Sequence, residues 1–145
     1  MLTPQTLNNQ LCFAIYEAGN ELQKLYSKAL NRFSLTYPQY LVLLSLWEYN
    51  GVTVKQLGEQ LSLGNGTLTP MLKRMENHGW LRKERSTDDE RKVYIRLEDK
   101  AWELQHEILE SIQYQLSLCS IFEKDIALMD KLHELTRQIR TKGEK

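Results

Sequence analysis

The chain has 145 residues, 41% of them hydrophobic, which suffices for one compact domain around a single core. Its 19 Lys and Arg match 19 Asp and Glu, so there is no global attraction to nucleic acid or to anionic lipid, and any polyanion site must be a local patch. Two cysteines, Cys12 and Cys119, are too few and too far apart for a disulfide framework, and no stretch approaches the roughly 20 apolar residues a membrane span needs.

The opening "MLTPQTLNNQ" has no basic segment followed by an apolar run, so a cytoplasmic protein with no membrane partner is expected. From Leu7 onward, Leu11, Ile15, Ala18, Leu22, Leu25 and Ala29 follow a three-and-four spacing, which predicts one long helix ending near Phe33. Pro38 suits the first turn of a second helix, and "YLVLLSLWEY" is apolar nearly all round, so that helix should form the buried centre. Asn50 and Gly51 break it. Thr53 with Gln56 reads as a capping box for a short helix, "VKQLGEQL", and the turn cluster "SLGNG" leads into a further helix from Asn65 or Thr67 to His78. The inner face of that helix is Leu68, Met71, Leu72 and Met75; Gly79 stops it, and Pro70 lies early enough to sit near its first turn.

Beyond Gly79 the period changes to two. "WLRKERS" and "RKVYIRL" are predicted strands, with Thr87, Asp88, Asp89 and Glu90 as a polar hairpin tip. The helical period resumes at Ala101 through Leu104, Ile108, Ile112 and Leu116, and a last helix carries Ile126, Met129, Leu132, Leu135 and Ile139. The expected fold is therefore mainly α: a winged helix-turn-helix over residues 35–98, flanked by N- and C-terminal helices, 1–34 and 101–145, in a single domain spanning 1–145. The flanking apolar stripes have little of their own chain to cover them, which predicts dimerisation helices and a homodimer.

A helix-turn-helix places the start of its second helix in the major groove, where short polar side chains reach phosphates and base edges. Here that start is Asn65, Thr67 and Thr69, followed by Lys73 and Arg74. Between Pro70 and Leu97 basic residues, Lys83 among them, outnumber acidic ones by three, a modest patch on the wing and recognition helix. At the hairpin, Arg91 is a candidate for insertion into a minor groove, or for an ion pair with Asp89 or Glu90. A solvated helix and hairpin in some unrelated α-helical protein is the alternative. The combination of helix-turn-helix and basic wing favours double-stranded DNA.

The spans "NNQLCFAIYEA", "LTYPQYLVLLSLWE" and "GTLTPMLKRMENHGWLRKERSTDDERKVYIRL" closely resemble the organic-hydroperoxide-sensing branch of the multiple-antibiotic-resistance (MarR) regulator family, whose members are dimeric winged-helix repressors. The likeness covers about residues 8–98. "GTLTPMLKRME" and the "DER" of the wing mark the family; "QLCF" with "LTYPQY" marks the branch. The resemblance implies that Cys12 is the peroxide-reactive thiol, that Tyr26 and Tyr37 hydrogen-bond it, that Arg91 is the minor-groove arginine, and that the operator is pseudo-palindromic. Two departures stand out: Gly64 and Asn65 replace the usual Asp and Ser, altering the helix cap and the first DNA contact, and "LEDKA" replaces the usual opening of the following helix.

A sensing thiol must be partly thiolate and reachable by peroxide. Cys12 lies roughly 100° off the apolar stripe, at its edge, and no Lys, Arg or His is within a turn of it, so hydroxyl donors are the available support. Tyr26, 14 positions further along the same helix, is roughly 21 Å away. A Cys12–Tyr26 contact must therefore cross between two subunits. The alternative for Cys12 is a small buried hydrophobe. After oxidation to sulfenic acid, Cys119 is the one candidate resolving thiol in the chain, and the resemblance implies either a disulfide between Cys12 and Cys119 of the other subunit or resolution by a small cellular thiol. A bystander role for Cys119 also stays open.

These observations point to a redox-sensing transcriptional repressor and not to an enzyme, with organic hydroperoxide as the oxidant and no cofactor. Two rivals remain: a ligand-responsive regulator of the same fold without thiol chemistry, and a thiol peroxidase, which would leave the basic wing without a purpose. His78, His106 and His133 are too far apart in sequence to predict a metal site.

Overall fold

The computed structural model describes residues 6–120 and 126–143. After a 3-10 turn at Leu7–Asn9, helix α1 runs Leu11–Leu30 and tightens into a second 3-10 turn at Asn31–Phe33. There follow α2 (Tyr37–Glu48), β1 (Val52–Thr53), α3 (Val54–Leu61), α4 (Asn65–Asn77), β2 (Leu81–Arg85), β3 (Val93–Leu97), α5 (Asp99–Glu103), α6 (Gln105–Leu118) and α7 (Ile126–Lys142). The order is that of a mainly α winged helix-turn-helix.

Local chemistry sets the boundaries. Thr36 and Gln39 form a reciprocal capping box that starts α2, with Pro38 in its first turn, and Thr53 and Gln56 form a second that starts α3. Gly79, at φ 80°, ends α4 in a left-handed conformation that costs a glycine nothing. Gly51, at φ 89°, does the same after α2, and a Cβ there would lie 2.6 Å from an Arg96 guanidinium nitrogen.

The three strands form an antiparallel sheet in the order β1-β3-β2, with Val52 opposite Ile95, Leu81 opposite Leu97 and Arg85 opposite Val93. Four details differ from the sequence-based expectation. β1 is a third strand; at two residues it has no period of its own and exists through its pairing with β3. The wing connection spans residues 86–92, longer than the four-residue tip, with the Ser86 N–H on the Lys92 carbonyl and the Lys92 N–H on the Asp89 carbonyl closing it. The helix after the wing is divided at Leu104 into α5 and α6. Pro70 is the sixth residue of α4, past its first turn, and having no N–H it cannot donate to the Gly66 carbonyl.

The core is centred on α2, whose Val42, Leu43 and Leu46 are fully buried against Leu30 of α1, Leu57 of α3, Leu68 and Leu72 of α4, Ile95 of β3 and Ile108 of α6. Each such side chain contributes about 1.5–3 kcal/mol by leaving water. The lower end of α1 packs on α6, where Ser111 Oγ donates to the Ala29 carbonyl at 2.8 Å and Arg32 pairs with Glu107 at 3.2 Å. The predicted α1 stripe is buried only at that end. Leu11 and Tyr16 are each 64% exposed, and no residue of α7 is buried; its Leu128, Met129 and Ile139 stand open. Long apolar faces on α1 and α7 are thus uncovered in the single chain.

Two bonds fix the wing to the core, and a third fixes α5. The Leu97 N–H donates to Asn50 Oδ1 at 2.9 Å, the Gly51 N–H to the Ile95 carbonyl at 3.0 Å, and Trp47 Nε1 to the Ala101 carbonyl at 3.2 Å. Replacing Asn50 by Ala strands the Leu97 N–H in a half-buried position and should cost about 1–3 kcal/mol. Urea unfolding of Asn50→Ala measures this; a change under about 0.5 kcal/mol, the range of an inconsequential surface substitution, would show that the latch carries little of the fold's stability.

Candidate functional site

Two constellations stand out. The first is a basic cleft of about 680 Å³ between the start of α3, the start of α4 and the wing. It gathers Asn65, Thr69, Lys83 and Arg91 of the predicted DNA contacts and adds Lys55, Arg85 and Lys92; no carboxylate lines it. Thr67, Lys73 and Arg74 are exposed on α4 but do not line the cleft. Lys55 escaped sequence reasoning because it lies on α3, far along the chain from the charged cluster; Arg85 and Lys92 are within that cluster, but nothing in the strand pattern shows which side chains turn toward α4.

The wing's carboxylates explain how the cleft stays basic. Glu84 accepts from Arg96 Nε at 2.7 Å and from Arg82 Nε at 3.1 Å, and these two bonds, Arg96's first, hold its carboxyl below the usual range; donating to Glu84 also raises Arg82. Glu76 of α4 accepts the Lys83 N–H at 3.1 Å, joining recognition helix to wing. At the tip, Ser86 Oγ accepts from the N–H groups of Asp88 and Asp89, while Asp89 Oδ1 accepts from the N–H of Arg91 at 3.0 Å and from its Nε at 3.3 Å. Arg91 is therefore ion-paired and outstanding together: its side chain remains 92% exposed.

At the head of α4, Gly64 supplies no side-chain cap, so the first turn's N–H groups are free of an internal carboxylate or hydroxyl acceptor there. Only its carbonyl takes part, accepting from Thr67 and Leu68 N–H. An uncapped helix start beside a cationic cleft suits a phosphate.

The second constellation is aromatic. Tyr26 of α1 packs on Tyr37 of α2, ring centroids 5.1 Å apart, and on Tyr40 at 5.8 Å; Tyr40 in turn meets Trp47 edge-on at 6.4 Å. The two predicted tyrosines are thus together in one chain. Tyr40, which sequence reasoning absorbed into the apolar face of α2, is a third phenol of the cluster. Burial pushes all three hydroxyls upward, Tyr40 to about 12, and the neighbouring Tyr26 phenol adds to the rise at Tyr37 and Tyr40. Cys12 is exposed one residue into α1, beside the tilted ring pair Phe13 and Tyr16, and since α1 is an unbroken helix from Leu11 to Leu30 the thiol stays about 21 Å from its own Tyr26. Cys119, also exposed, ends α6 as its C-cap. Among the described residues no group of His, Cys, Asp or Glu is gathered to hold a metal ion, and no helix is long and apolar enough to cross a membrane.

The family model for transcriptional regulators of the SarA/Rot type matches residues 24–108, from α1 through the whole winged helix into α6. The chain belongs to this family. The regulator is 36% identical over 133 residues to the HTH-type transcriptional regulator MgrA of Staphylococcus aureus, covering 91% of this chain and 90% of that one. It is 55% identical over 91 residues to the organic hydroperoxide resistance transcriptional regulator of Bacillus subtilis, a match that spans 63% of this chain and 62% of the relative. Its fold superposes on AbfR, a protein solved from Staphylococcus epidermidis: for reduced AbfR bound to DNA the identity is 37% and the TM-score 0.81, covering 92% of this chain and 94% of that one, and for AbfR with its disulfide formed they are 38% and 0.71, covering 92% and 91%. It is thus a winged-helix regulator of transcription of the SarA/Rot type, in a family of transcription regulators.

The phenol cluster makes the regulator's stability fall in alkali. Each phenol's folded pKa lies above its unfolded value near 10, so the stabilisation from keeping the neutral form is complete below pH 10 and is lost as pH rises toward 12. A spectrophotometric titration should show three of the seven tyrosines ionising late and together with unfolding; seven ordinary transitions near pH 10 would contradict the packing.

Proposed function

We propose that this regulator is a homodimeric repressor that holds a pseudo-palindromic double-stranded operator while Cys12 is reduced and leaves it when an organic hydroperoxide oxidises Cys12. The observation that carries the proposal is the split of one sensor along α1: the exposed thiol near one end, the phenols about 21 Å away near the other, and an uncovered apolar face between them. Two antiparallel copies of such a helix bring each Cys12 to the Tyr26 and Tyr37 of its mate. The likeness to the B. subtilis organic hydroperoxide regulator, and to AbfR, which has been solved reduced on DNA and in a disulfide form, supports it.

In this arrangement residues 35–98 bind DNA and residues 1–34 and 101–145 dimerise, in a cytoplasmic protein. Asn65, Thr67 and Thr69 enter the major groove, Lys73, Arg74 and Lys83 hold phosphates, and Arg91 enters the minor groove. Sulfenic acid at Cys12 is resolved by Cys119 of the other subunit, and the shift in the helices that join the subunits takes the two α4 helices out of the spacing of about 34 Å that successive major-groove half-sites require.

Cys12→Ser should retain its operator in an electrophoretic mobility assay at hydroperoxide concentrations that release the wild type. Release of the Cys12→Ser protein would overturn the thiol mechanism and favour a ligand-responsive regulator. Non-reducing electrophoresis of the wild type should show a crosslinked dimer after one equivalent of hydroperoxide, absent from Cys119→Ser; its absence from the wild type would leave resolution to a small thiol. Arg91→Ala should weaken operator binding by about 1–3 kcal/mol, with Lys83→Ala acting on every sequence alike and lowering the slope of log affinity against log salt by about one. Unchanged affinity in both variants would remove the wing from the interface.

A further inference from the structure

The phenol that the proposed sensor needs is not held in place by its own helix. Tyr26 belongs to α1 and Tyr37 to α2, and the two helices are joined through a 3-10 turn and Ser34, which adopts a left-handed conformation at φ 56°. The relative placement of the two hydroxyls therefore depends on what packs between α1 and α2. Tyr40 is the buried ring in that packing, lying 5.8 Å from Tyr26 beside the direct Tyr26–Tyr37 contact at 5.1 Å. It is 6% exposed, the most buried of the three phenols' residues, with its ring against Tyr26 on one side and Trp47 on the other. Trp47 is itself fixed by its indole N–H to the Ala101 carbonyl of α5. The result is a line of rings, Trp47, Tyr40 and Tyr26, tied at its Trp47 end to the middle of α5.

We infer that Tyr40 is a positioning residue for peroxide sensing: its ring, backed by Trp47, sets the Tyr26 phenol where a second copy's Cys12 meets the oxidant. This inference rests on the redox function proposed above. In the reaction, the Cys12 sulfur attacks the outer oxygen of an alkyl hydroperoxide; an S–O bond forms, the O–O bond breaks, sulfur is oxidised to sulfenic acid, and the peroxide is reduced to an alcohol that departs with the proton given up by the thiol. The departing oxygen needs a hydrogen-bond donor as charge develops on it, and a phenol in register supplies one. Alkylation of the same thiol by iodoacetamide expels iodide, which needs no proton. The two rates at one sulfur therefore separate a positioned donor from mere access.

The test uses the full-length dimer in a Cys119→Ser background, so that Cys12 is the one thiol, with cumene hydroperoxide and iodoacetamide as probes. Tyr40→Leu should slow oxidation by about fivefold or more beyond any change in alkylation, which reads only the thiolate that the phenols support. Tyr40→Phe, which keeps the ring and removes the hydroxyl, should restore oxidation. Oxidation of Tyr40→Leu at the parent rate would overturn the inference, as would a parallel change of both rates, which signals loosened helices, or a Tyr40→Phe protein as slow as Tyr40→Leu, which would assign the effect to the hydroxyl. A parent protein inert to hydroperoxide would overturn the redox function itself and the positioning role with it; a reactive parent with an indifferent Tyr40→Leu would overturn the positioning role alone.

Discussion

Almost everything in this molecule is referred to the burial of α2. A helix carrying Tyr40, Val42, Leu43 and Leu46 inward, with Trp47 half-buried beside them, cannot remain at a surface, and the chain closes around it: α1 on one side, α3 and α4 on another, the sheet and α6 beyond. The functional elements are seated on this one helix. Its N-terminal end holds the phenols, its middle carries the core under the recognition helix, and its C-terminal end, through Trp47, Asn50 and Gly51, anchors α5 and β3.

The second organising feature is the separation of charge inside a chain that is neutral as a whole. Between α4 and β3 three of the five acids are engaged within the domain: Glu84 between two arginines, Glu76 on the backbone of β2, Asp89 in the turn of the wing. The cations facing the α3–α4 edge have no acid among them. A zero net charge and a cleft of one sign are compatible because the acids serve as internal braces.

Much of the fold was legible in the residues. Both capping boxes and the α4 inner face of Leu68, Met71, Leu72 and Met75 are stated by short-range chemistry and lie where spacing puts them, and the two wing strands pair as expected within shorter bounds. What escaped is what only tertiary contact creates. β1 is two residues that become a strand because Ile95 and Tyr94 are opposite them. The division at Leu104 leaves the apolar period intact, so periodicity alone runs straight through it. Lys55 enters the basic cleft from a helix with no charge pattern to announce it, and Tyr40 looks like one more apolar residue of α2 until Tyr26 is laid against it. The thiol was legible as chemistry, and its distance from Tyr26 as arithmetic, because both depend only on α1 being one straight helix.

The turn at the wing tip has an effect on association that its geometry alone does not announce. Asp89 binds both the main chain and the side chain of Arg91, so a long, exposed arginine is held partly rigid in the free protein. Immobilising such a side chain at an interface ordinarily costs about 0.5–1.5 kcal/mol in lost rotamer freedom. Here part of that loss has already occurred during folding, and whatever the wing meets is met by a preorganised cation.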